Sequence, residues 1–329
     1  MMSALTLLYN ELVGFLGVST WLKMFSTNDY SSLRSWDGFT GAIGAVLPLL
    51  LVFEIIRALI HKNFKVRDYK LIFLTYVLNR VLGSFISIAA LAFCIALFQP
   101  YAIFESRITW YWLLYGYVVW EFGHFIYHFL AHKVRLLWCL HSTHHAPESM
   151  SLFVSHAHFF LEAPYADVIR TSTCILLGVS PPLLFLIMFI DGTWGTFIHA
   201  GENLIKNGRL GLLNRLVLTP SHHRVHHSRN PLYIDTNYCN LLNVWDRVFG
   251  TLQDEREDVP PEYGITRPMK PGSFVDFYFG ELIALWRDVV HAPGIGNKLR
   301  YVVMPPGWSH TGEHKTASEM RRRMVAPAG

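Results

Sequence analysis

Charged residues are scarce in this chain of 329 residues. Asp, Glu, Lys and Arg make up 16% of the sequence and hydrophobic residues 52%, whereas about 25% charged residues is usual for a soluble domain. This composition argues against an ordinary soluble protein and favours one that lies in a membrane. The formal net charge is only +4 and is spread along the chain, so the sequence predicts no nucleic-acid partner.

Cysteine and the common cofactor motifs are also scarce. The four cysteines form no C-x-x-C pair and no dense framework, so we interpret them as reduced thiols without a structural role. No H-E-x-x-H motif supports a zinc hydrolase. No G-x-G-x-x-G follows a strand and no haem-binding segment is visible, so we expect no reductase within the chain.

The sequence contains several long hydrophobic runs. Residues 38–60 form the first run that exceeds the roughly 20 residues needed to cross a bilayer. The connection 57–70 carries five basic residues and one acid, which places it in the cytoplasm by the positive-inside rule. A second span follows at 72–98, and a third helix is expected to begin near Ile108. Residues 164–200 predict a helical hairpin broken at Ser180-Pro181-Pro182, which enters from the cytoplasm and returns there.

Histidine is concentrated in the second half of the chain. Of 17 histidines, 13 fall between residues 124 and 227, on the side of the membrane that the charge pattern makes cytoplasmic. Pairs spaced by three or four residues share one face of a helix and can bind one metal region. Such spacing occurs in three clusters, His128-x3-His132, His141-x2-His144-His145 and His222-His223-x2-His226-His227, and a single His199 lies between the last two.

This abundance of imidazole predicts two metal ions. Neutral imidazoles suit zinc, iron and copper, whereas carboxylate-rich sites suit magnesium or calcium. A single structural zinc needs only four ligands. Di-metal sites of helical histidines at a membrane surface indicate iron and dioxygen, because redox-silent zinc cannot attack a C–H bond. Zinc-dependent hydrolysis stays an alternative, since a zinc-bound water is a competent nucleophile.

The order of these clusters resembles the fatty acid hydroxylase/sterol desaturase superfamily of membrane di-iron enzymes. The resemblance covers about residues 115–252 and is strongest to the alkylglycerol-monooxygenase-like branch. It rests on the histidine spacing, on residues 219–230, on Tyr233-Ile234-Asp235-x-Asn237-Tyr238 and on the segment 245–251. The ending Pro305-Pro306-Gly307-Trp308 is similar to that branch as well.

The resemblance implies a set of iron ligands and no catalytic residue beyond them. Carried over position by position, these ligands are His128, His132, His141, His144, His145, His199, His223, His226 and His227. We assign His222, Asp235 and Asp246 to the surrounding shell, with a cap or turn role as the alternative for the two aspartates. His124 is interpreted as a polar residue at the bilayer edge, with an added ligand or proton donor as the alternative. His156 and His158 are interpreted as structural, with a position near the metals as the alternative.

The predicted function is lipid oxidation. The chain would use two iron ions and dioxygen to hydroxylate, or oxidatively cleave, a membrane lipid near its headgroup or glycerol region. Electrons would come from an external donor, which the resemblance gives as a tetrahydropterin or a haem or iron–sulfur carrier. Two further alternatives stay open: a lipid or sterol desaturase with the same iron site, and a histidine-rich metal transporter or sensor, which would place histidines along a path through the spans.

The predicted architecture is an all-α, multi-pass integral membrane protein with about four membrane helices and a histidine-rich di-metal cap that faces the cytoplasm. We divide the chain into an N-terminal interfacial segment (1–30), a transmembrane hairpin (31–106), the catalytic region (107–252) and a C-terminal cytoplasmic segment (253–329).

Overall fold

A computed structural model describes residues 18–29, 31, 36–62 and 64–325. The regular structure of these residues is helical, and the only β pairings among them are two isolated bridges, Val217 with Leu242 and Ser228 with Tyr263. The predicted all-α class is therefore confirmed. The chain divides into two compact units, residues 1–64 and 65–329.

The first unit contains two described helices. Helix α1 spans Val18–Thr27 and helix α2 spans Trp36–Ile60. Helix α2 coincides with the predicted first span at 38–60. Most of the predicted interfacial segment, residues 1–17, lies outside the described residues.

Helix α3, Val66–Phe98, opens the second unit and carries a largely uncovered apolar surface. Large apolar side chains are exposed along its length, with Phe85 76% and Ile88 65% exposed. A helix with this surface needs an apolar solvent around it, which a bilayer supplies. Among the described residues, α3 with its short continuation to Tyr101 and the later helix Pro181–Ile198 are long and apolar enough to cross a membrane.

Helix α4, Trp110–Lys133, is the most enclosed long helix of the second unit. Its start is capped by Thr109, whose hydroxyl accepts the backbone N–H of Trp112. Helix α6, Glu162–Leu176, packs closely against it, because Gly123 brings the backbone of α4 against Arg170. Helix α7, Pro181–Ile198, completes the predicted hairpin after a short turn, and its leucine and isoleucine side chains pack with α4 in one core.

The histidine-bearing helices are short and lie at the C-terminal end of α4. Helix α5, Arg135–His145, follows α4 after Val134, and a 3₁₀ helix spans Leu152–His156. Helix α8, Pro220–His226, begins at the capping residue Thr219. The remaining helices are α9, Val244–Val248, α10, Phe274–His291, α11, Gly294–Val303, and α12, Ala317–Val325.

The fold leads to a labelling test of the predicted topology. The four native cysteines are buried, so an introduced cysteine gives a clean signal. We expect cysteines at Lys65 and Arg229 to react with an impermeant maleimide only from the cytoplasmic side, because the basic loop and the histidine region are predicted to share that side. A cysteine at Glu105 serves as the opposite-side control. Labelling of positions 65 and 229 from different sides would contradict a shared cytoplasmic cap.

Candidate metal centre

Two adjacent groups of buried imidazoles form the centre of the second unit. Within each group the potential ligand atoms lie within 4.8 Å of one another. The five-histidine group consists of His128, His132, His141, His145 and His226, and the four-histidine group of His144, His199, His223 and His227. These are the nine residues carried over from the family pattern, and the structure assembles all of them.

In the five-histidine group the Nε2 atoms point at one another. His141 Nε2 lies 3.0 Å from His128 Nε2 and 3.1 Å from His145 Nε2. The Nε2 atoms of His132 and His226 are buried and have no hydrogen-bond partner. Nitrogens that converge without a proton donor between them match the donor set of a metal ion.

The four-histidine group repeats this arrangement. His199 Nε2 lies 3.1 Å from His144 Nε2 and 2.9 Å from His223 Nε2, and His227 Nε2 lies 3.1 Å from His223 Nε2. The two groups adjoin, because the rings of His145 and His227 stack across them with centroids 4.4 Å apart. The geometry therefore offers two neighbouring metal positions.

Helical spacing explains how one short segment serves both positions. In α5, His141 and His145 are four residues apart and belong to the five-histidine group, while His144 belongs to the other. In α8 and its cap the assignment is reversed: His223 and His227 join the four-histidine group. Adjacent residues of a helix point about 100° apart around its axis, so His144 and His145, like His226 and His227, reach different groups.

The outer ring nitrogens are held by backbone carbonyls. The Nδ1 atoms of His128 and His226 lie 2.8 Å from the carbonyl oxygens of Tyr238 and Thr236, and His199 Nδ1 lies 2.5 Å from that of Gly195. A carbonyl can only accept, so each Nδ1 donates its hydrogen and each Nε2 keeps a free lone pair. Hydrogen bonds of this kind, from the outer ring nitrogen to an acceptor, orient metal-binding histidines in proteins.

Burial disfavours the charged form of an imidazole. Desolvation, followed by the neighbouring imidazoles, lowers the pKa of His144, His145, His223 and His227 well below the usual value. A neutral imidazole is the form that binds a metal. The residues present therefore fit two soft or borderline transition-metal ions and not magnesium or calcium.

The sequence that forms this site is similar to that of a known protein family. The fatty acid hydroxylase family model matches residues 113–251, a stretch that contains all nine histidines. These residues form a fatty acid hydroxylase domain. The resemblance stated from the histidine spacing is thus confirmed.

Curated relatives of the domain are lipid-modifying enzymes. The chain is 33% identical to an alkylglycerol monooxygenase of Homo sapiens over 236 residues, which is 70% of this chain and 51% of that protein. It is 34% identical to an alkylglycerol monooxygenase of Xenopus tropicalis over 205 residues, 62% of this chain and 43% of the relative. An ornithine lipid hydroxylase of Rhizobium tropici is 28% identical over 157 residues, 48% of this chain and 46% of the relative.

The chain spans about half the length of the curated relatives it matches. No solved structure matches it.

The predicted outer residues of the hydroxylase domain have three different environments. Asp235 lies 3.2 Å from His132 Nδ1 and pairs with Lys133 Nζ at 2.5 Å. Asp246 accepts the backbone N–H groups of Tyr238 and Cys239 and so holds the loop rather than an imidazole. His222 lies outside both groups, and its Nδ1 completes the cap of α8 at Thr219.

Sequence reasoning missed Glu162. Its Oε1 lies 2.5 Å from His141 Nδ1 and its Oε2 lies 2.8 Å from His158 Nδ1. Burial alone would raise the pKa of this carboxyl, but His158 and His141 lower it to about 2, so Glu162 is a carboxylate at neutral pH. The His158-x3-Glu162 spacing was the available signal.

His158 and His124 lie closer to the metal groups than their structural interpretation suggested. The His158 ring stacks on His144 with centroids 4.3 Å apart. His124 is buried beside His128, with centroids 5.6 Å apart, and its Nδ1 has no hydrogen-bond partner. His156 lies farther out, in edge contact with Tyr76.

Loop 238–242 of the hydroxylase domain is fixed to α4 by a second missed carboxylate. Glu121 is fully buried and accepts the backbone N–H groups of Asn240, Leu241 and Leu242 at 2.5–3.0 Å. This anchor positions the carbonyl of Tyr238 that accepts from His128.

Cavities reach the histidine groups from two sides. The central cavity, ≈ 210 Å³, touches both groups and lies between α4, α6 and α7; its lining includes His128, His144, His199, Glu162 and Asp191. A smaller cavity of ≈ 50 Å³ touches the five-histidine group at His132, His145 and His226 and lies next to the C-terminal segment. The two cavities share no lining residue.

Loss of one ligand from either group should release metal. We expect His226→Ala and His144→Ala each to lower the metal content from about two ions per chain to one or fewer, because each substitution removes one nitrogen from a different group. Elemental mass spectrometry of purified protein measures this content. His291→Ala removes an exposed histidine and is the matched control. Unchanged content in both ligand variants would contradict the assignment of the groups.

Removal of the Glu162 charge should weaken the centre without destroying it. Outer-shell partners typically change metal affinity about 10–100-fold, so Glu162→Gln should bind metal about tenfold or more weakly than the parent chain. Competition with a chelator of known affinity measures the change. Glu262→Gln, an exposed glutamate, is the control; equal affinities for the two variants would show that Glu162 has no positioning role.

Proposed function

We propose that the chain is a membrane-bound di-iron oxygenase that hydroxylates a lipid with dioxygen at or near its headgroup or glycerol region. The observation that carries this proposal is the pair of adjacent, all-imidazole groups beside a shared cavity. The compact grouping does not favour the transporter alternative, which needs histidines spread along a path.

Iron is the metal that suits this donor set and this reaction. Iron and zinc both accept imidazole, but a redox-silent ion offers no route from dioxygen to a C–H bond. When bound, two irons would supply the oxygen activation for that step, with electrons from an external donor. The nine histidines would hold them, five in one group and four in the other.

The chain's own residues would orient the site and keep water out. Backbone carbonyls and Glu162 fix the rings of His128, His226, His199 and His141 through their outer nitrogens. Preorganised ligands of this kind need little rearrangement during the reaction. All nine imidazoles are buried, so little of their own surface contacts water.

The names of the relatives support a polar lipid as substrate. Alkylglycerol and ornithine lipid, the compounds in those names, both combine a polar head with a long apolar chain. The histidine groups lie where α4 ends, beyond the apolar helices. A carbon near the headgroup would reach them with less movement than one deep in an acyl chain.

An external donor would supply the electrons, as a tetrahydropterin or a haem or iron–sulfur carrier. A pocket of ≈ 550 Å³ beside the C-terminal segment supports this route, because it is lined by charged side chains and is open to water. Trp138 lines this pocket and also contacts the five-histidine group, with its ring 5.2 Å from that of His132 and 5.5 Å from that of His145.

The proposed location is a multi-pass membrane protein with about four spans and a centre that faces the cytoplasm. Two apolar helices of sufficient length and the basic connection 57–70 support it. The same arrangement gives the C-terminal pocket access to a cytoplasmic reductant.

The product of the reaction provides the direct test. We expect cells that express the chain under ¹⁸O₂ to accumulate a polar lipid with one ¹⁸O atom in the glycerol or headgroup-proximal region, because that part of a lipid lies nearest the histidine groups. Tandem mass spectrometry of the lipid extract locates the label.

The inactive control is His144→Ala, which should accumulate no labelled lipid. A product two hydrogens lighter without added oxygen would support the desaturase alternative. Label in the middle of an acyl chain or on a sterol ring would contradict the headgroup-proximal site, and activity with zinc in place of iron would contradict the di-iron reading.

A further inference from the structure

The charge pattern of α3 gives the depth of its residues in the membrane. Arg80 is the last charged residue of this helix, and the 18 residues 81–98 that follow carry no charge. At 1.5 Å per residue these span about 27 Å, close to the roughly 30 Å thickness of the bilayer hydrocarbon. Arg80 therefore lies at the level of the lipid headgroups, on the side of the histidine groups.

A groove opens beside Arg80 at this depth. It has a volume of ≈ 280 Å³ and lies between α3, the segment 155–160 and the start of α6. One wall is formed where Gly83 brings α3 against the backbone of Phe160. A Cβ added at position 83 would lie only 3.3 Å from the carbonyl oxygen of Phe160. We call it the α3 groove, and its lining includes Tyr76, Arg80, Ser84, Ser155, His158 and Phe160.

The α3 groove leads to the metal groups. Ser155, His158 and Ala163 line both this groove and the central cavity. His158 stands at the junction, since its ring stacks on His144 of the four-histidine group. Phe159 and Phe160 line the groove as well, whereas Phe153, the third aromatic residue of this segment, packs against Tyr69.

Arg80 gives the groove one specific charge. Its Nε donates to the Tyr76 hydroxyl at 3.1 Å, a neutral partner. A guanidinium with neighbouring hydroxyls is suited to phosphate, because its planar set of donors matches phosphate oxygens. A lipid phosphate lies at the same level of the bilayer as the groove.

We propose that the α3 groove is the lateral access site for a phosphate-bearing glycerolipid, with Arg80 binding the phosphate and the glycerol region extending past His158 into the central cavity. This inference rests on the proposed function and specifies its substrate class. It assigns Arg80 to substrate binding and not to the reaction itself.

A pair of lipids that differ only in phosphate tests the groove without turnover. Purified protein in detergent is mixed with equal amounts of lysophosphatidic acid and monoglyceride that carry the same acyl chain, and native mass spectrometry measures which lipid is retained. We expect the parent chain to prefer the phosphate-bearing lipid about tenfold, the size typical of a hydrogen-bonded charge pair. Arg80→Ala should remove this preference.

Lys70→Ala is the matched control, since Lys70 is an exposed cation on the same helix outside the groove. It should leave the preference unchanged. Inorganic phosphate at millimolar concentration should not displace the lipid if the headgroup is the ligand. Equal retention of both lipids by the parent chain, or equal behaviour of the two variants, would overturn the proposal.

A second pair of variants tests the path by occlusion. Ser84→Trp should fill the groove and lower retention of the phosphate-bearing lipid at least fivefold with unchanged metal content, whereas Ile88→Trp on the exposed apolar face should not. Full retention by Ser84→Trp would overturn the path. Because retention needs no oxygen chemistry, failure of the groove and failure of the proposed oxygenase are separate results: lipid can be oxidised without any role of Arg80, and lipid can be retained by a protein that oxidises nothing.

Discussion

The structure of the second unit depends on nine imidazoles that share a buried space. Each ring has two nitrogens, and a buried nitrogen without a partner costs free energy. The chain meets the outer nitrogens of five rings with backbone carbonyls or carboxylates, which leaves inner lone pairs facing one another. The surrounding fold holds these acceptors in place. Glu121, for example, anchors loop 238–242, which carries the Tyr238 carbonyl.

The spacing of histidines and apolar residues along the sequence was enough to predict the helical fold class and the nine histidines of the site. The i,i+4 pairs and the apolar runs depend on helix periodicity alone, which a sequence displays directly. The division into groups was not predictable, because whether His144 turns away from His141 and His145 depends on how α5 crosses α4 and α8. Glu162 was missed for a related reason: it meets His141 from a different helix, across 21 residues of sequence.

The interpretation of His158 shows the same limit. The sequence favoured a structural role for this residue, but the 3₁₀ helix Leu152–His156 turns the chain back so that His158 stacks on His144. Asp246 is the opposite case: it lies near the histidine motif in the sequence, but its carboxylate accepts backbone N–H groups of the loop and no imidazole. Short-range patterns thus identify residue types for a centre, while the loops between helices decide which atoms meet.

The exchange of ligands between α5 and α8 has a consequence for assembly. Each of these short segments contributes to both histidine groups, so neither group can adopt its geometry while α5 or α8 is misplaced. Adjacent residues such as His144 and His145 are oriented by one backbone, and an ion that fixes the first ring also restricts the second. Uptake of a first ion would therefore lower the entropy cost of a second, and we expect the two ions to be bound and lost cooperatively instead of one at a time.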